Sequence, residues 1–131
     1  MSLPANATVE AAPNFLVNLE AIHQFFLLQD AASAASRLSK LKAELRQMVQ
    51  ILAWSPRSGR TVRFLAAKSV QARLKTEGIM QLAAQAGLPG IREYLVGQHI
   101  ALYAHSDTEV VLLALKNQRQ LMYSAERPAG D

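Results

Sequence analysis

At 131 residues, half of them apolar, the chain has the length and the greasy content for one compact core and too little for two. Fourteen Lys and Arg against ten Asp and Glu leave a formal net charge of +4, a modest surplus that favours polyanions or an acidic protein partner. The absence of cysteine excludes a disulfide framework and any thiolate metal site, and the greasiest stretch, Val110 to Leu115, is far short of the roughly 20 residues a membrane helix requires.

The first dozen residues hold no Lys or Arg and lack the apolar run of a secretory signal, so a cytoplasmic location is expected. Within them, Thr8 to Ala11 has the character of a short edge strand. From Phe15 to Leu28 the apolar positions Phe15, Leu16, Leu19, Ile22, Phe25 and Phe26 recur at three- and four-residue steps. That spacing marks one face of a helix whose first turn Pro13 suits. Asp30 is placed to cap a second helix, where Ala31, Ala34, Leu38, Leu41, Leu45, Met48 and Leu52 step by 3 and 4 to an end near Ala53. So short a connection makes the two an antiparallel hairpin, with Lys40, Lys42, Arg46 and Gln47 outward. Trp54 is expected to plug its base, and Ser55-Pro56-Arg57-Ser58-Gly59 stops the helix.

Thr61 to Leu65 has strand character, and Ala67 to Gln85 reads as a kinked helix or two short ones, interrupted at Gly78 and closed by Gly87-Leu88-Pro89-Gly90. Ile91 to Val96, His99 to His105 and Glu109 to Leu115 read as three strands. Gly97-Gln98 and Ser106-Asp107-Thr108 are short enough to join them as hairpins in an antiparallel meander. The nearly all-apolar last strand is expected to be central, with helices over at least one face. The fold class is therefore α+β. An N-terminal antiparallel helical hairpin packs on a small, mostly antiparallel sheet of three to five strands, in a single domain over 1–131 with an extra helical insertion at 66–88.

The helical hairpin, a Pro-x-x-Gly-Arg break, a Pro-Gly-Ile-Arg-Glu turn into a strand, and a closing strand that runs into Lys-x-Gln-Arg succeed one another along the chain. Taken in order, Pro13 to Ile22, Pro56 to Arg60, Pro89 to Tyr94 and Val110 to Tyr123 resemble the ParE/RelE toxin superfamily of type II toxin–antitoxin systems, the plasmid stabilisation proteins. The resemblance spans most of the chain except Ala66 to Leu88, which is longer than the loop of most compact relatives. It implies a chromosomal or plasmid addiction toxin that inhibits growth, paired in a hetero-oligomer with a cognate antitoxin whose extended C-terminal part wraps the toxin's surface. It also implies one of two targets: DNA gyrase for ParE-like members, or messenger RNA on the ribosome for RelE-like members.

Cleaving RNA through its own 2′-hydroxyl needs a proton acceptor, a cation for the charged phosphorane and a donor to the leaving oxygen. Arg119 and Tyr123, four residues apart, share a face whether the chain after Leu115 continues as strand or turns to helix. Lys116 and Arg92 are the cations expected near them if the second and fourth strands of the sheet lie close. Asn117 stands where many relatives have histidine, and an amide exchanges no proton near neutral pH. With no full acid, base and phosphate-binding set in view, the expectation leans to a non-enzymatic, ParE-like inhibitor that binds gyrase. The alternatives are a RelE-like ribosome-dependent endoribonuclease and a non-toxic interaction module.

For partner contact the candidates are Arg119, Lys116, Arg92, Lys40 and Arg46. Each has a plainer role as well: Arg119 paired with Glu93 or Glu109 at the sheet edge, Arg92 as a loop tether, the helix cations merely solvated. Tyr94 and Tyr103 read as core or rim, and His99 as an exposed turn residue able to titrate near neutral pH. His23, His99 and His105 lack ligand spacing, and no phosphate-binding loop occurs, so neither a metal nor a cofactor is expected. An apolar hairpin also allows a homodimer.

Overall fold

The computed structural model describes residues 6–62, 78 and 80–119. A short strand β1 (Thr8–Ala11) leads into helices α1 (Pro13–Gln29) and α2 (Ala31–Trp54). A short helix α3 spans 80–86, followed by strands β2 (Gly90–Val96), β3 (His99–His105) and β4 (Glu109–Asn117).

The helical hairpin forms where the periodicity places it. Pro13 sits in the first turn of α1, where its missing N–H costs nothing. Asp30 makes the corner: its backbone N–H donates to Phe26 O at 3.0 Å, ending α1. Its carboxylate accepts from the Ala32 N–H at 3.1 Å, opening α2. The stripe Ala34, Leu41, Leu45, Met48 and Leu52 is buried, while Lys40, Lys42, Arg46 and Gln47 are exposed. Trp54, expected to plug the base, is 45% exposed. It lies two residues past Leu52, more than half a turn around the helix from the buried stripe. The segment before β1 closes the base instead, with the Asn6 and Ala7 N–H groups on Ala53 O and Asn6 Nδ2 on Trp54 O.

The sheet is mixed, in the order β1-β4-β3-β2. The three later strands form the antiparallel meander, and β1 adds to β4 in parallel. β4 is thus internal, as its apolar sequence predicts. Of the strand expected over Thr61 to Leu65, only Thr61 and Val62 are described; they follow an antiparallel bridge between Arg60 and Glu93 without themselves pairing as strand, and residues 63–65 lie outside the described residues.

Both faces of the meander are covered. One packs Val96, Ala101, Tyr103, Val110, Leu112 and Leu115 against the hairpin. The other packs Ile100, Leu102, Ala104, Leu113 and Ala114 against Val62 and Ala83, with Leu82, Ala86 and Leu88 alongside. The described part of the 66–88 insertion is therefore a second cover for the sheet.

An irregularity in β4 decides which way its last residues face. Leu102 pairs with Ala114, but Tyr103 pairs with Leu112, leaving one extra residue, Leu113, in β4. On the other side, β1 ends opposite Leu112. Beyond that point Asn14 Nδ2 donates to Leu113 O at 3.0 Å, and Asn18 Oδ1 accepts from the Leu115 N–H at 3.0 Å. Two asparagines one helical turn apart thus replace a strand partner for buried backbone groups that would otherwise lack one.

Candidate functional site

Gly97, at a φ of 57°, makes the left-handed step of the turn between β2 and β3. Gln118 fastens the end of β4 to this turn: its N–H donates to Gln98 O at 2.8 Å and its Nε2 to Gly97 O at 2.8 Å. Asn117, paired with His99 across the ladder, accepts the Arg119 N–H on Oδ1 at 2.9 Å.

Between this corner and the second half of α1 lies a cleft of about 510 Å³, within the usual range for small-molecule sites. Ile22, Phe25 and Leu115 give it an apolar floor, Asn18, His99 and Asn117 a polar wall, and Arg37 and Arg119 two cations. No acidic side chain lines it among the described residues. The Arg37 guanidinium stands 4.0 Å over the Phe26 ring and donates from Nη1 to Gln29 Oε1 at 3.0 Å, a placement that combines cation–π attraction with a fixed orientation.

His99 is only 7% exposed, so the expected solvent-exposed turn histidine is instead a wall residue. Its ring meets Phe26 edge-on, centroids 6.2 Å apart. Burial lowers its pKa, Glu44 pulls it back up and Arg37 lowers it further, so the imidazole is mainly neutral at pH 7. His99, Arg37 and Asn117 also border a smaller cleft of about 220 Å³, where Lys40 and Glu44 join them.

The other candidates are dispersed. Arg119 lines the main cleft, Lys40 only the smaller one, and Arg46 is exposed on the outer side of α2. Arg92 sits at the far end of the sheet, donating from Nη1 to Gly59 O at 3.0 Å and from Nε to His105 Nε2 at 3.3 Å. There a polar pocket of about 440 Å³ also holds Arg57, whose guanidinium pairs with Asp107 at 3.3 Å. Tyr123 lies outside the described residues.

Lys116 and Arg92 do not meet Arg119 as a group. β3 separates β2 from β4, and the two cations point to opposite faces, Arg92 aligned with Tyr103 and Lys116 with Ile100. In an unbroken strand Leu112 and Lys116 would share a face, and the extra residue at Leu113 reverses that parity. Lys116 is instead buried near Glu93, whose carboxylate also lies 3.5 Å from Arg60 Nε. Burial lowers the Lys116 pKa, Glu93 raises it and Arg60 lowers it. Arg60, rather than Arg119, is the arginine paired with Glu93.

The residues that sequence reasoning missed are Arg37 as a wall cation, His99 as a buried group and the Asn14–Asn18 pair. A signal existed for the last: the two asparagines continue the stripe of Ile22 and Phe26. No protein-family model matches the chain, and no curated protein matches it.

Proposed function

We propose that this chain is a cytoplasmic toxin of the ParE/RelE kind, which arrests growth by binding DNA gyrase and is neutralised by a cognate antitoxin. The observation that supports it best is that two stretches carrying the resemblance, Pro56 to Arg60 and Pro89 to Tyr94, form one unit although they lie far apart in sequence. Arg60 and Glu93 exchange backbone hydrogen bonds of 2.7 and 2.9 Å. The Arg92 guanidinium holds Gly59 O. Beneath them the Tyr103 hydroxyl donates to Pro56 O at 2.7 Å and accepts from the Gly59 N–H at 2.8 Å. Motifs that were only consecutive in sequence thus support one another in space.

Binding rather than cleavage is favoured because Arg92, Lys116 and Arg119 stand apart, whereas RNA cleavage needs its acid, base and cation around one phosphate. The hairpin offers surface for a protein partner. Leu16, Val17, Leu27 and Leu28 are exposed along α1, and Lys40, Lys42 and Arg46 along α2. An apolar area beside cations suits a partner that is itself partly acidic.

Expression without antitoxin is expected to arrest growth, and the purified chain to inhibit supercoiling by gyrase while leaving message on translating ribosomes intact. Cleaved message with unimpaired supercoiling would select the RelE-like alternative. Undisturbed growth at high soluble levels would leave the non-toxic interaction module.

A further inference from the structure

The cleft beside His99 carries an inference independent of the toxin reading. His99 is more than nine-tenths buried and lines the cleft, and its ring makes no hydrogen bond among the described residues. A neutral imidazole has one N–H donor and one acceptor, and neither His99 ring nitrogen is sealed from solvent, so a ligand entering the cleft can meet them in place of water. Arg37 uses one N–H on Gln29 and its underside on Phe26, which fixes the plane of the guanidinium and keeps its remaining donors available. The Arg119 side chain has no ion pair or hydrogen bond among the described residues, and only its backbone N–H is tied, to Asn117. Among the described residues, two guanidinium groups and an imidazole thus share one cleft lined by no carboxylate, above the apolar floor of Ile22, Phe25 and Leu115, with Glu44 bordering the smaller cleft next to it.

We propose that this cleft binds a small organic anion, its carboxylate or phosphate held by Arg37, Arg119 and the His99 N–H, and its flat apolar body laid on Phe25, Ile22 and Leu115. Guanidinium groups recognise both head groups through paired, charge-assisted hydrogen bonds. A bare inorganic ion would leave the floor unused, and a flat cation would meet the arginines.

The test uses the full chain with three probes: indole-3-acetate, phenyl phosphate and tryptamine, the last flat and apolar but cationic. Titration calorimetry is expected to show binding of at least one of the anions. Tryptamine should bind more weakly by roughly tenfold or more. The preferred anion identifies the head group. In NMR that anion should shift the His99 ring-proton signals, because the ring lies in the wall of the site. Arg119→Gln changes an exposed side chain and should leave the thermal midpoint unchanged while weakening the anion roughly tenfold. Arg37→Gln should act similarly, with its fold checked by circular dichroism, since Arg37 also packs on Phe26. Three results overturn the proposal: no binding of either anion at about 10 mM, far weaker than two such contacts permit; equal binding of tryptamine; or Arg119→Gln binding the anion as the parent does.

Discussion

Gly59 and Tyr103 show what a short motif asks of single residues. A Cβ on Gly59 would stand 2.5 Å from Glu93 O and 2.6 Å from the Tyr103 hydroxyl, so only glycine lets the turn lie against β2 and β3 at this closeness. The fully buried Tyr103 joins the turn to the sheet through its donated and accepted hydrogen bonds. Tyr103→Phe keeps the ring but strands the Pro56 carbonyl and the Gly59 N–H, and should destabilise the fold by about 1–3 kcal/mol in urea unfolding. His99 gives a pH-dependent expectation. Its folded pKa lies below the ordinary value of about 6.5, chiefly through burial. Between those two values the unfolded chain binds more protons, so stability rises with pH there. His99's contribution is fully present above about pH 6.5, is lost as pH falls through the folded pKa, and is flat below it. Urea midpoints of the parent and of His99→Phe should therefore diverge as pH is lowered from neutrality. Parallel curves would show that His99 titrates alike folded and unfolded.

At the scale of elements, β4 teaches most. Its burial and central position come from its apolar run, and the hairpin comes from the 3,4 spacing, because both depend on periodicities that single residues report. The extra residue at Leu113 does not, since nothing in Val111-Leu112-Leu113-Ala114 marks where pairing slips. The expectation of Lys116 near Arg92 rests on the second and fourth strands lying close; β3 stands between β2 and β4, and the slip in pairing turns Lys116 to the opposite face as well. The cleft is equally hidden: Arg37, His99 and Arg119 come from three separate stretches, and only the packing of the α1–α2 hairpin against the β3–β4 end brings them together. The Asn14–Asn18 pair compensates for the end of β1. Asn18→Leu removes the acceptor for the buried Leu115 N–H and should cost about 1–3 kcal/mol. Hydrogen exchange should show that cost as faster exchange at Leu115 in particular.

For the whole molecule, the described part of the insertion matters as cover. Without Leu82, Ala83, Ala86 and Leu88 the face presented by Ile100, Leu102 and Ala104 would meet water. Lys116 and Glu93 are buried on that same face, while Arg60, beside Glu93, keeps about a third of its side chain exposed. The parallel pairing of β1 with β4 has a consequence in time. β1 is translated before every other described element, yet its strand neighbour is the last of them to leave the ribosome. During synthesis the hairpin emerges complete, its apolar stripe uncovered, and remains so until the meander arrives. Such a chain exposes adhesive surface longest in its unfinished state, and a partner able to hold the nascent hairpin would meet this protein before it has folded.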